Sequence, residues 1–486
     1  MDYSARTFIF LLLTVLLAEV RVATPPRSNH QRANTPSGTG PHPIIFKSPL
    51  ARQFLVPQLL PQVNFRIQNS YAGRLNVTED PLHPSQMFFW LVPSDDARGS
   101  KDLTIWVNGD ACSGLAGAFN GNGPITIHPG TAQPIKNPYS WTRSSNMLYL
   151  DIPLNAGFSR GRAPQRSSQD IAVFVFNFLK AFLKVFPEMN GLNLYMAGHA
   201  YSGTYISYVA DKIYAQQSQL SLKLQGILLV NAFISTPEYQ QHIPVASYVT
   251  KNNAAFKFSP IRLKKLQVTD EACGLSGYLN EHLTYPPKGR FLAVTKAGDP
   301  KNPSEFRDQC LIFYDMFEGA SRSMNLWNIH DKPGNADPNF TRFVYPARAD
   351  VRRAFNVAGS PPWETCADLN RIFPNGDSSP PPSGRVLPNV IQRSKRTVIA
   401  HGALDATLPV DGVALAIQSM TWGGKQGFQQ PINSPFLVGN VPRGKYHTER
   451  GLTFVELTHS GSLIPHDQPQ SGLSLLDYLL GHRPNP

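Results

Sequence analysis

Apolar residues along this chain recur first with a period of two and later with a period near 3.6, and the alternation between these patterns outlines the fold. Four strand-like stretches follow one another: NFRIQN from Asn64, AGRLNV from Ala72, MFFWLV from Met87 and DLTIWV from Asp102. Rich in β-branched and aromatic residues and bounded by polar turns, they predict the antiparallel start of a mixed sheet. After NMLYLD over 146–151, helical periodicity runs over 169–185, with Ile171, Val173, Phe174, Phe178 and Phe182 on one side. A buried strand near 194–197, an amphipathic segment over 204–214 and a second buried strand over 226–231 come next. This succession predicts an α/β fold, a doubly wound sheet with parallel central strands. Residues 238–338 break the rhythm. Their helical stretches near 261–268 and 306–317, and a Pro/Gly-rich piece between Tyr285 and Pro303, predict an inserted cap. The sheet resumes with RTVIAH from Arg396 and LTFVEL from Leu452, and an apolar helix over 471–480 closes the domain.

Composition narrows the class. A chain of 486 residues that is 41% apolar can bury a sizeable core, and its 43 prolines with only 16% charged residues predict long ordered loops. The run TFIFLLLTVLLA over 7–18 follows Arg6 and precedes small residues at Val22 and Ala23. It predicts a secretory signal peptide over 1–23, because it is too short to span a bilayer and no second apolar run follows; no stable membrane anchor is expected. Residues 24–42 are rich in Pro, Ser, Thr and Asn, so a disordered leader or propeptide is expected over 24–45, and 46–486 form the folded domain. Four cysteines in an exported chain predict two disulfides with three possible pairings. Sequons at Asn76 and Asn339 fit export. The net charge of +12 is spread along the chain and predicts a solvated basic surface; basic clusters interleaved with aromatics are absent, so no nucleic-acid partner is expected. No phosphate loop, dinucleotide fingerprint or metal-ligand spacing is present, so no cofactor or metal is expected, and His330, His401 and His447 have no usable spacing.

The candidate chemistry centres on NLYMAGHAYSGTYISY from Asn193. An apolar strand enters a helix through a tight turn at Gly198, the geometry that lifts a nucleophile to the top of a sheet beside a helix N-terminus. The attacking residue belongs two positions after that glycine. That position is Ala200, which has no atom to attack with.

Phe88-Phe89-Trp90, WVNGDACS from Trp106, Asn122-Gly123-Pro124, NPYSWTRSSNMLYLDIPLNAGFS from Asn137, Phe186-Pro187-Glu188, GALD from Gly402 and PHDQP from Pro465 agree in order and spacing with one family. The chain resembles the serine carboxypeptidases, α/β-hydrolases that remove C-terminal residues from peptides, usually at acid pH. The resemblance places the triad at Ala200 (nucleophile lost), Asp405 (acid retained) and Ser462 (base lost), because the family reads Gly-Glu-Ser-Tyr-Ala-Gly at the elbow and Gly-His-Met-Val-Pro at the base. Two glutamates that hold the substrate carboxylate become His199 and Gly121. The oxyanion loop Asn-Gly-Gly-Pro-Gly-Cys shortens to Asn108-Gly109-Asp110-Ala111-Cys112, which puts a carboxylate where an oxyanion should be stabilised. The family's substrate-binding set falls on Asn108, Gly109, His199 and Tyr201. The resemblance also pairs Cys112 with Cys366 and leaves Cys273 with Cys310 in the cap.

Loss of nucleophile or base costs about 10⁶ in kcat in a serine protease, so these changes predict a catalytically impaired protein. Ser202 lies two helical steps on and turns about 200° away. Ser113 reads as a turn or cap residue, His199, His459 and His466 as hydrogen-bonding or surface groups, and Asp405 without its histidine as a structural acceptor. Three functions follow: a secreted pseudoenzyme holding a peptide or small molecule in the old cleft, an active serine carboxypeptidase with displaced residues, or another reaction that uses His199 or Asp110 with Asp405.

Overall fold

The computed structural model describes residues 44, 46–78, 82, 84–127, 133–162, 165–299, 306–321, 323–331, 345–360 and 363–486. The expected signal peptide, all but Ile44 of the expected leader, and the sequon at Asn339 lie outside them. A 12-stranded sheet is built from β1 (Leu55–Val56), β2 (Ser70–Asn76), β3 (Ser85–Val92), β4 (Asp102–Asn108), β5 (Asn146–Leu150), β6 (Asn193–His199), β7 (Lys223–Val230), β8 (Arg396–Gly402), β9 (Ser434–Val438), β10 (Val441–Glu449) and β11 (Leu452–Leu457). Their order is β1-β2-β3-β5-β4-β6-β7-β8-β11-β10-β9, and Arg160–Gly161 pairs beside β3. The central strands from β5 to β11 are parallel, and the flanks are antiparallel.

The central strands read as unbroken apolar runs because both their faces are covered. On one face, helix α1 (Ser168–Val185) packs with α2 (Ser202–Ala215). Ser167 caps α1, its hydroxyl accepting from Asp170 N at 3.2 Å, and Phe174, Phe178 and Phe182 join the core. Val173, expected on that stripe, is instead 39% exposed. It stands two positions from Ile171, about 200° around the helix. The other face is covered by residues that include Leu475, Leu476 and Leu479 of the last helix, Pro469–Leu480. NFRIQN is not a strand: the edge of β2 is taken by β1, and Ile67 N finds only Gln58 O, at 3.0 Å.

Between β7 and β8 a third apolar cluster forms around helices α3 (Ile243–Lys251), α4 (Pro260–Cys273), α5 (Leu275–His282) and α6 (Ile312–Ala320), with the Cys273–Cys310 disulfide inside it. The helix at 261–268 is longer than expected. The stretch at 306–317 becomes helical in earnest only at Ile312, after a single 3₁₀ turn at Asp308–Cys310. The exit of this insertion runs back over the sheet. Ile329 N donates to Leu404 O at 3.0 Å and Ala406 N to Leu326 O at 2.8 Å. Asn108, His199, Asn231 and Gly402 therefore meet in one row at the carboxyl ends of neighbouring strands, where α/β sheets place their sites.

Candidate functional site

The elbow between β6 and α2 is fully formed. Ala200 has φ +58°, and its carbonyl accepts from Gly203 N at 3.1 Å and Phe233 N at 3.0 Å, while its N–H donates to Val230 O at 3.2 Å. Holding a residue other than glycine in this left-handed region costs about 1–2 kcal/mol. The turn also requires its glycines: a Cβ on Gly109 would fall 2.2 Å from Tyr201 N, and one on Gly198 would fall 2.4 Å from Ser202 Oγ. The strain and close approach that present a nucleophile thus persist around a methyl group. Ser202 is buried beneath the turn, and its hydroxyl has no partner among the described residues, so it does not face the cleft.

Ser462, the position to which the resemblance assigns the base, is engaged in the structure. Ser462, in the loop after β11, places Oγ 2.7 Å from His199 Nε2, a hydrogen bond whose donor depends on the imidazole tautomer. Ser462 is 4% exposed and His199 2%. Burial, reinforced by nearby His401, lowers His199 to about 4, so its ring is neutral through most of the physiological range. The cap's exit segment roofs this pair: Ser462 N donates to Trp327 O at 2.7 Å, and Asn328 Nδ2 to Asp467 at 3.1 Å. A Cβ on Gly461 would lie 2.2 Å from Trp327 O, so the loop has no slack there.

Asp405 is wholly buried and already engaged. Oδ2 accepts from Asn231 Nδ2 at 3.0 Å, and Oδ1 from Thr407 N at 2.8 Å, Thr407 Oγ1 at 2.6 Å and Leu408 N at 3.3 Å. Burial outweighs these bonds and raises it to about 6. Hydroxyl, imidazole and carboxylate are all present, but the first two are bonded to each other and the third to the scaffold.

The loop that the resemblance reads as the oxyanion loop has a left-handed backbone. Asp110 and Ala111 have φ of +53° and +56°. The Asp110 carboxyl makes no hydrogen bond among the described residues, and burial raises it to about 6. The Asn108 amide is occupied, accepting from Trp106 Nε1 at 2.9 Å and donating to Ser113 O at 3.0 Å. Over Gly121, where the resemblance expects a glutamate, Pro465 closes in: a Cβ there would lie 3.1 Å from Pro465 Cβ. His466 Nδ1 bonds Asn120 O at 2.8 Å, and His459 is exposed on the surface.

Cys112 is joined to Cys366 and is not a free thiol. Ser113 caps a short helix, accepting from Leu115 N at 3.2 Å, and donates to the buried Asp151 at 2.5 Å. Tyr201 donates to Asp377 Oδ2 at 3.1 Å. Asp377 also accepts from the first residue of α1, Ser168, through N at 3.0 Å and Oγ at 2.5 Å, and nothing in its Pro/Ser-rich sequence context signals this role. Asn76 is exposed at the end of β2. Among the described residues no group of three His, Cys, Asp or Glu side chains is placed to hold a metal ion.

Comparison with known proteins bears on this geometry. The family profile described as Peptidase S10, serine carboxypeptidase, matches residues 57–482. A probable serine carboxypeptidase from Arthroderma benhamiae is 32% identical over 451 residues, covering 87% of this chain and 85% of its own. The serine-type carboxypeptidase F of Aspergillus niger is 29% identical over 470 residues, covering 87% and 86%. Among solved structures, a prohormone-processing carboxypeptidase from Saccharomyces cerevisiae superposes with a TM-score of 0.73 at 19% identity, covering 89% of this chain and 96% of that one.

Proposed function

The chain belongs to the serine carboxypeptidase family, and from that premise we propose that it is a catalytically silent member, a lumenal or secreted module that holds a peptide or small molecule in the old cleft. One observation carries this reading: the elbow presents the Ala200 methyl group, while the hydroxyl at the base position is bonded to His199. Acyl transfer needs an attacking atom, a base within reach of its proton and donors aimed at the developing oxyanion. Here the attacking atom is absent, the imidazole is bonded to a buried serine, and the oxyanion loop carries Asp110. The cleft itself, with Tyr201 held by Asp377, remains able to grip a ligand without an acyl intermediate.

The 2.7 Å contact between Ser462 and His199 supports a second reading, an active carboxypeptidase in which these two residues exchange the family's positions. Their burial and the engagement of Asp405 weigh against it. For the lumenal or secreted location, the support is the pair of disulfides and the N-terminal apolar run; among the described residues no helix is long and apolar enough to cross a membrane.

The test is hydrolysis of N-blocked dipeptides by the purified chain from acid to neutral pH. The proposal requires no release of C-terminal residues. Turnover abolished by Ser462→Ala would establish the exchanged pair instead, and turnover that resists serine-directed inhibitors but fails in His199→Ala would establish a different chemistry.

A further inference from the structure

Between the loop that leads into α1 and the segment over 371–378 lies a cavity of about 480 Å³, within the roughly 300–1,000 Å³ usual for small-molecule sites. Hydrogen bonds stitch parts of its described walls. Arg166 O accepts from Ser378 N at 3.0 Å and from Ser378 Oγ at 2.9 Å. Asn155 and Gly161 exchange two hydrogen bonds of 3.1 and 3.0 Å. The buried Gln165 amide braces Leu154 in both directions, at 2.8 and 3.1 Å.

The polar side chains of Asn155, Gln165 and Ser378 are therefore engaged in building the walls. The guanidinium groups of Arg162 and Arg166 are not: they make no hydrogen bond or ion pair among the described residues, although both line the cavity. Arg371, on the opposite wall, is half-neutralised by an exposed pair with Glu364 at 3.2 Å. The carboxylates on the flanking elements are already occupied. Asp377 is held by Ser168, Ser379 and Tyr201, and Asp170 accepts from Arg166 N and Ser167 Oγ at the start of α1. Ile372 and Phe373 supply an apolar patch beside this charge. Two uncommitted, exposed forks on the wall of a concave site match a compact oxyanion, because planar guanidinium pairs bidentately with its oxygens.

We propose that this cavity binds a small molecule carrying a phosphate or sulfate ester, with Arg162 and Arg166 on the oxyanion and the Ile372–Phe373 side against its carbon skeleton. The site does not depend on whether the cleft is catalytic. Calorimetric titration of the full chain with glucose 6-phosphate, glucose 6-sulfate, inorganic phosphate and glucose tests it. Saturable binding of at least one ester, tighter than inorganic phosphate and absent for glucose, is expected, and the tighter ester identifies the oxyanion. In the R162Q/R166Q double variant that affinity falls about tenfold or more. In R371Q, which removes an exposed and already paired charge, it falls less than about threefold. Ester affinity unchanged in R162Q/R166Q, or no saturable ester binding up to about 10 mM, overturns the assignment.

Discussion

Replacing His199 by Gln keeps a nitrogen near Ser462 Oγ but removes a titratable ring from the interior. His199 is lowered from 6.5 to about 4, with burial the larger cause and His401 the smaller. The fold thus holds the neutral imidazole, while the unfolded chain takes up a proton near 6.5. This group's contribution to stability is complete above pH 6.5 and is lost as the pH falls through about 4. At pH 4.5 the two titrations differ by about 2.5 kcal/mol. His401 and His242, also lowered to about 4, act in the same direction. Asp110, Asp151, Asp405 and Asp467, each raised to about 6, act in the opposite one, their penalty absent below about 4 and complete above 6. These groups are common to both proteins, so comparing the wild type with His199→Gln isolates the single ring. Denaturant unfolding at pH 7.5 and 4.5 should show the stability gap between them shifting by about 2–3 kcal/mol in favour of the variant at the lower pH. A gap that is the same at both pH values would mean that His199 is not a neutral, buried partner of Ser462.

Ser462→Ala should cost about 1–3 kcal/mol in denaturant unfolding, because it strips a buried imidazole of its hydrogen bond; an unchanged midpoint would contradict the pairing. Asp405→Ala should cost about 3–5 kcal/mol, because it leaves Asn231, Thr407 and Leu408 with unmet donors, whereas a triad carboxylate kept for catalysis alone would leave stability nearly untouched. Ala200→Ser by itself should remain inert towards blocked dipeptides, since the side chain at 462 is bonded to His199 and supplies no base. Cys112→Ser with Cys366→Ser opens a link spanning 254 residues and should cost about 3–5 kcal/mol, read by unfolding without reductant.

How far the sequence discloses this molecule depends on whether a feature is local. The central strands, α1 and the elbow were readable because burial on both faces or one stripe writes itself into apolar periodicity, and Gly198 marks the turn. The hairpin of β9 and β10 carried no such mark: Pro435, Gly439 and Pro442 interrupt it, and Leu437 and Val441 are exposed. NFRIQN misled for the converse reason, since its alternation reflects the packing of Phe65 and Ile67 against the core without a strand partner. At the site, Ala200, Ser462 and His199 each stood out singly against the family's motifs. That Ser462 and His199 meet could not be read, because 263 residues separate them and no spacing encodes the contact. The bond between Tyr201 and Asp377 is hidden in the same way, 176 residues apart.

Whether the elbow carries a nucleophile is read from intact mass after fluorophosphonate treatment. The A. niger carboxypeptidase relative serves as the positive control at the same pH. The purified chain should keep its unmodified mass at pH 4.5 and 7.5 while the control gains one adduct. A single stoichiometric adduct on this chain, at Ser462 or any other serine, would show that the protein keeps a working nucleophile.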